Sequence, residues 1–186
     1  MEKKATTTGM IQVRDMTKIA IFTALLCILA PMSIPIGPVP ISLTNLVIYL
    51  SLYILGMKKG TISFLIYLLL GLVGLPVFSG YAGGPAKLVG PTGGYLIGFI
   101  FIALIGGYMI DRWPEKYALH FIAYVASTAL CYALGTAWFV YLMDCTVAYA
   151  LGICVFPFII GDLCKIAVAM FLGAQVRRQL RKANLA

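Results

Sequence analysis

Apolar residues in this chain come in long unbroken runs rather than in strand-like alternation. Short polar or Gly/Pro-rich breaks separate them. About 20 apolar residues in a helix cross a bilayer whose hydrocarbon core is about 30 Å thick. On that scale the runs predict six spans, at 17–34, 43–57, 61–76, 93–111, 117–142 and 156–176. Spans 2 and 3 are short, and Met57-Lys58-Lys59-Gly60 joins them. This basic tip and the Pro-rich segments on either side favour two crossings over an apolar hairpin that stays inside. The expected fold is an all-α integral membrane protein with six transmembrane helices, as a single membrane domain over 1–186.

Composition agrees with that reading. Of 186 residues, 62% are apolar and 11% charged, against about 45–50% and about 25% in soluble domains. The first eighteen residues are polar and basic, and no small-residue cleavage site follows the first apolar run. We therefore expect no signal peptide.

The net charge of +8 is a topology signal. With six spans both termini share a side. That side collects Lys3, Lys4, Arg14, Lys18, Lys58, Lys59, Arg112, Lys116, Arg177, Arg178, Arg181 and Lys182. The opposite side keeps only Lys87, with Lys165 in or near the membrane. The positive-inside rule makes the basic side, with both termini, cytoplasmic. Basic residues scattered through short loops argue against nucleic-acid binding.

The two longer outer segments are unusual. Residues 31–42 (PMSIPIGPVPIS) hold four prolines, and residues 76–92 (PVFSGYAGGPAKLVGPT) are rich in Gly and Pro. Both are apolar, yet proline excludes a continuous helix. Irregular apolar backbone near membrane depth is tolerated where it is buried in protein or lines a cavity. Both loops are expected to form lids or cavity walls, the plainer alternative being tight surface connections.

Asp162 and Lys165 stand one helical turn apart inside the apolar run FPFIIGDLCKIAVAMFLGA (156–174). Each charge at membrane depth costs roughly 2.5–3.5 kcal/mol on insertion scales. Such a pair either neutralises itself or holds polar cargo. Asp162, Lys165 and Ala169 share one helix face. Asn45 and Tyr49 face together on span 2, following Ser42 and Thr44. Trp138 and Tyr141 do so on span 5, where an interfacial aromatic belt is the competing reading. All approach the outer side, which describes a pocket open to the outside.

At the other end, Ala20 and Ala24 on span 1, and Gly94 and Gly98 on span 4, have the small-xxx-small spacing that lets helices approach closely. These pairs serve internal packing or, for Ala20 and Ala24, the docking of a separate protein. Cys27, Cys131, Cys145, Cys154 and Cys164 show no metal spacing and read as small packing residues. A Cys145–Cys154 bridge on the outer face is the weaker alternative. There is no phosphate-binding loop motif, no ligand set around the single His120, no catalytic constellation and no internal repeat. A pocket without a motor implies an external power source.

The stretch GLPVFSGYAGGPAKLVGPTGGYLIGF (74–99), with PIGPVPISLTNL (35–46) and GDLCK (161–165), resembles the BioY family. These are the biotin-binding S-components of energy-coupling factor (ECF) transporters. The resemblance covers nearly the whole chain. It implies that biotin is captured from outside, in the cell membrane of a prokaryote. It also implies a complex with a transmembrane coupling protein and two cytoplasmic ATPases, so that this chain is not itself an enzyme. Ala20 and Ala24 match the motif with which S-components dock the coupling protein, and the loaded subunit is expected to reorient in the membrane. No cofactor is expected, biotin being the transported ligand.

Biotin suits the candidate pocket chemically. Its ureido N–H groups match Asp162, while Lys165 or Asn45 can donate to a carbonyl or carboxylate. Phe78, Tyr81, Tyr95, Trp138 and Tyr141 are candidates to line its bicycle and tail, and Lys87 is a second candidate for its carboxylate. Without ligand, Asp162 and Lys165 are expected to pair with each other. Two other readings stay open: an S-component or small carrier for another vitamin-like molecule, and a membrane assembly protein whose ion pair locks helices.

Overall fold

The computed structural model describes residues 13–182. Lys3, Lys4 and most of the polar leading segment lie outside the described residues. The elements are α1 (Val13–Leu29), β1 (Ser33–Ile34), β2 (Ile41–Ser42), α2 (Thr44–Leu72), α3 (Pro85–Val89), α4 (Gly93–Arg112), α5 (Tyr117–Met143), α6 (Val147–Cys154) and α7 (Phe156–Lys182). Among the described residues, four helices are long and apolar enough to cross a membrane: Thr44–Leu72, Gly93–Arg112, Tyr117–Met143 and Phe156–Leu180. Large apolar side chains on their outer faces, such as Leu69, Ile122, Ile160 and Phe171, are exposed. That pattern fits a lipid surround rather than water.

The ends of α4 and α5 fall within one residue of expectation. Helix α1 is already helical at Val13, the first described residue, ahead of the expected 17, and stops at Leu29, short of Pro31. Its first turn is polar, so a hydropathy window does not see it. Asp15 there pairs with Lys59 at 2.6 Å, and that hydrogen bond holds the Asp15 carboxyl below its ordinary pKa. The proline-rich segment after α1 forms a short antiparallel ribbon, Ser33 opposite Ser42 and Ile34 opposite Ile41.

Helix α2 departs most from expectation. Residues 57–60 were expected to link two spans, but they are helical. The break is one residue, Gly56, at φ 79° and ψ 178°. This region is essentially closed to residues with a Cβ. A Cβ built on Gly60 would lie 3.6 Å from the Cα of Leu52. Eight residues of straight helix span about 12 Å, so the chain folds back sharply at Gly56. The restarted helix is capped from outside: Met57 N–H donates to Asp111 Oδ2 at 2.8 Å, reaching across from the end of α4.

Losing that cap has a measurable cost. Asp111→Ala should destabilise the protein by about 0.5–2 kcal/mol, read as a fall of a few degrees in the thermal midpoint of the purified protein. An unchanged midpoint would show that the fold-back is held elsewhere.

Gly94 and Gly98 serve internal packing. A Cβ on Gly94 would sit 2.5 Å from Trp138 Cβ, and one on Gly98 2.7 Å from Cys131 Sγ. The two glycines therefore let α4 lie directly against α5. Helix α6 falls in a stretch expected to be loop. The Thr146 side chain caps it, accepting from Tyr149 N–H. Eight residues are too few to register as a span. The five cysteines are free thiols, so Cys145 and Cys154 are not bridged.

Candidate functional site

Helical periodicity alone places Asp162 and Lys165 on one face of α7, and the structure shows what that face meets. Lys165 Nζ donates to Asp162 Oδ1 at 3.0 Å, to Asn45 Oδ1 at 3.1 Å and to the Ser42 carbonyl at 2.8 Å. All three ammonium protons therefore have acceptors. Tyr132 of α5 donates its hydroxyl to Asp162 Oδ2 at 2.5 Å, so both carboxylate oxygens are engaged. The Asp162 and Lys165 side chains are only 8% and 13% exposed. A buried pair this fully bonded avoids most of the penalty of unpaired charge.

The cluster draws together four parts of the chain: the end of the ribbon (Ser42), the start of α2 (Asn45), the middle of α5 (Tyr132) and α7. Asn45 is buried at a helix start, and its Oδ1 also accepts from Leu46 N–H at 3.1 Å. The cluster borders a small cavity of about 50 Å³. Val39, Pro40, Phe99, Phe158 and Tyr95 supply its less polar walls, and Thr128, Cys131 and Cys154 complete them. Behind the walls, Tyr49 and Thr128 share a hydrogen bond at 2.6 Å, and Tyr95 and Thr136 one at 3.2 Å. Tyr124 donates to the Tyr49 carbonyl at 2.9 Å. The polar wall is thus braced from α2, α4 and α5.

Chemically, the site offers one carboxylate, one amide and one phenol at the end of an apolar slot. The charges of Asp162 and Lys165 cancel. The arrangement suits an uncharged, hydrogen-bonding head group on an apolar body better than an ionic ligand.

Of the residues singled out from the sequence, Asp162, Lys165, Asn45 and Tyr95 come together at this cavity. The others lie elsewhere. Phe78 is fully buried under its own loop, edge-on to Tyr67 at 5.6 Å and over Gly71. Trp138 donates its indole N–H to the Gly90 carbonyl at 3.0 Å, tying loop 76–92 to α5. Lys87 is half-buried on α3, and burial lowers its pKa. Tyr81 and Tyr141 are exposed, at 67% and 81%. Ala20 and Ala24 are exposed on α1 beside Ile21, Leu25 and Ile28.

Tyr132 was missed by sequence reasoning, as were Thr128 and Cys131. A signal for them exists: Thr128, Tyr132 and Thr136 recur every fourth residue along a largely apolar helix, a polar stripe of helical period. His120 is a structural residue, bonded to Tyr53 Oη at 3.0 Å and to the Trp113 carbonyl at 2.9 Å. No group of three or more His, Cys, Asp or Glu that could hold a metal ion occurs among the described residues.

Comparison with known proteins shows which proteins this chain is similar to. The Thermotoga maritima protein named biotin transporter BioY is 42% identical over 168 residues, covering 89% of this chain and 96% of its own. The Pyrococcus horikoshii protein named probable biotin transporter BioY is 35% identical, covering 88% and 96%. A crystal structure of the S-component for biotin from an ECF-type ABC transporter superposes with a TM-score of 0.84. It shares 31% identity and covers 91% of this chain and 95% of that one. Residues 1–182 match the BioY family along almost their whole length, and the chain belongs to that family.

Proposed function

We propose that this protein captures biotin from outside the cell and acts in its uptake as the S-component of an ECF-type ABC transporter. The carrying observation is the buried cluster of Asp162, Lys165, Asn45 and Tyr132 at the end of an apolar slot, in a chain of the BioY family. Asp162 accepts from the ureido N–H groups. Lys165 holds Asp162 and Asn45 in place, and the Asn45 side-chain N–H donates to the ureido carbonyl. Tyr95, Phe99 and Phe158 flank the bicycle. The segment 31–42 covers the site through Val39, Pro40 and Ser42. Loop 76–92, tied down by Phe78 and Trp138, closes the outer side, with Tyr81, Lys87 and Tyr141 meeting the valerate tail as it enters.

The chain forms one membrane domain with six crossings. Helices α1, α4, α5 and α7 supply four, and the two arms of α2 folded at Gly56 supply two. Both termini face the cytoplasm, because Arg14, Lys58, Lys59, Arg112 and Lys116 then share one side. The chain has no cofactor and hydrolyses no ATP. Its partners are a coupling protein, docked on the exposed Ala20/Ala24 face of α1, and two cytoplasmic ATPases.

The test is uptake of labelled biotin by cells lacking other biotin transporters, with this chain expressed alone or with coupling protein and ATPases. Accumulation that depends on the ATPases supports the reading, and absence of uptake under every combination contradicts it. At the site itself, Tyr132→Phe removes one hydrogen bond to a charged group, a loss of about 1.5–3 kcal/mol. Biotin affinity should fall about tenfold or more, and an unaltered Kd would exclude Tyr132 from the binding unit.

A further inference from the structure

At the opposite end from the slot, a groove of about 500 Å³ opens between α1, the Gly56 turn and α7. Four cationic side chains line it, Lys18, Lys58, Lys59 and Arg177, against the single carboxylate of Asp111. They arrive from three separate helices, so their gathering is a property of the fold rather than of one basic run. Two carboxylates offset part of the charge. Asp15 pairs with Lys59, and Asp111 already accepts the Met57 N–H. Among the residues that line the groove, cations from three helices outnumber the one carboxylate. Arg14, one turn before Lys18 on α1, adds a like charge on the same face.

We propose that this groove binds the phosphate group of an anionic phospholipid of the adjacent leaflet. Three features favour a lipid. The groove lies where apolar helices end, at head-group level. Ile54 and Leu55 give it an apolar flank beside the cations, as a ligand with both phosphate and hydrocarbon requires. Basic pockets between helices on the cytoplasmic side are a recurrent way of holding such head groups. The location rests on the topology proposed above but not on biotin being the cargo.

The experiment uses the full chain in phosphatidylcholine nanodiscs with and without phosphatidylglycerol, reading the thermal midpoint without biotin. Phosphatidylglycerol should raise the midpoint by roughly 5 °C or more, and high salt should reduce the gain. The Lys18→Gln/Lys58→Gln variant should lose most of it, and so should Lys58→Glu alone, whose side chain is exposed and whose folding is not at issue. Lys116→Gln/Arg178→Gln removes the same charge outside the groove and should keep it. Equal loss in both double variants would mean diffuse attraction to a charged surface and would overturn the site. Inorganic phosphate reproducing the gain in phosphatidylcholine discs would overturn the lipid as its source. No gain in the wild-type chain would overturn the proposal and leave the groove to an acidic surface of a protein partner.

Discussion

Asp162→Ala should lower biotin affinity by at least about 100-fold while leaving most of the folded yield intact. The carboxylate accepts from Lys165 on one oxygen and from Tyr132 on the other. It is also the strongest acceptor lining the slot. Removing one member of a buried, hydrogen-bonded charge pair costs about 3–5 kcal/mol, because the remaining charge is left uncompensated. Lys165 keeps two other acceptors, the Ser42 carbonyl and Asn45 Oδ1. Part of the damage to the fold is therefore absorbed locally. No such substitute exists for a ligand that needs two N–H groups accepted. Asp162→Asn sharpens the comparison by keeping the shape and one acceptor oxygen. Its affinity should lie between those of the alanine variant and wild type. Binding measured beside thermal midpoint separates the roles: loss of both in proportion would make the pair a structural lock.

The second large effect is expected far from the slot. Gly56→Ala should lower the thermal midpoint by roughly 10 °C. A residue with a Cβ in that backbone region carries about 1–3 kcal/mol of strain. The new methyl group would also sit 2.8 Å from Asp111 Oδ1, the carboxylate that caps the restarted helix. In a protein of this size each kcal/mol shifts the midpoint by roughly 2–4 °C. The two causes can be separated. In Gly56→Ala/Asp111→Ala the steric conflict is gone and only the backbone strain and the lost cap remain. The double variant should therefore be more stable than the sum of the single effects. Simple additivity would mean that the methyl group and the carboxylate do not meet.

Helices α4 and α5 were legible in the sequence because long apolar runs end at glycine, proline or charge. The Asp162–Lys165 pair was legible because charge in such a run has few explanations. Asn45 and Tyr95 followed from helical spacing and from the resemblance to BioY. Three things were not legible. The fold-back at Gly56 is set by one backbone conformation, and the basic tip at Lys58-Lys59 drew attention two residues too far along. Helix α6 is shorter than any span. Tyr132 is one of eleven tyrosines in the chain, and only its approach to α7 singles it out. Aromatic residues placed by linear proximity to the outer face went in several directions. Phe78 turned into the core and Trp138 became a loop tie, while Tyr81 and Tyr141 stayed outside. Spacing along one helix orders a face, but only packing against the others decides what that face meets.

The most direct measurement is a titration of the purified, ligand-stripped protein with biotin, following the fluorescence of Trp113 and Trp138. Trp138 reports from the loop anchor beside the slot and Trp113 from the opposite end, where its carbonyl meets His120. Tight, saturable one-to-one binding that Asp162→Ala weakens is the expected result. Folded protein that shows no change with biotin would contradict capture. Other vitamins would then be tried at the same site, and failure with those would reduce Asp162 and Lys165 to a pair that locks helices.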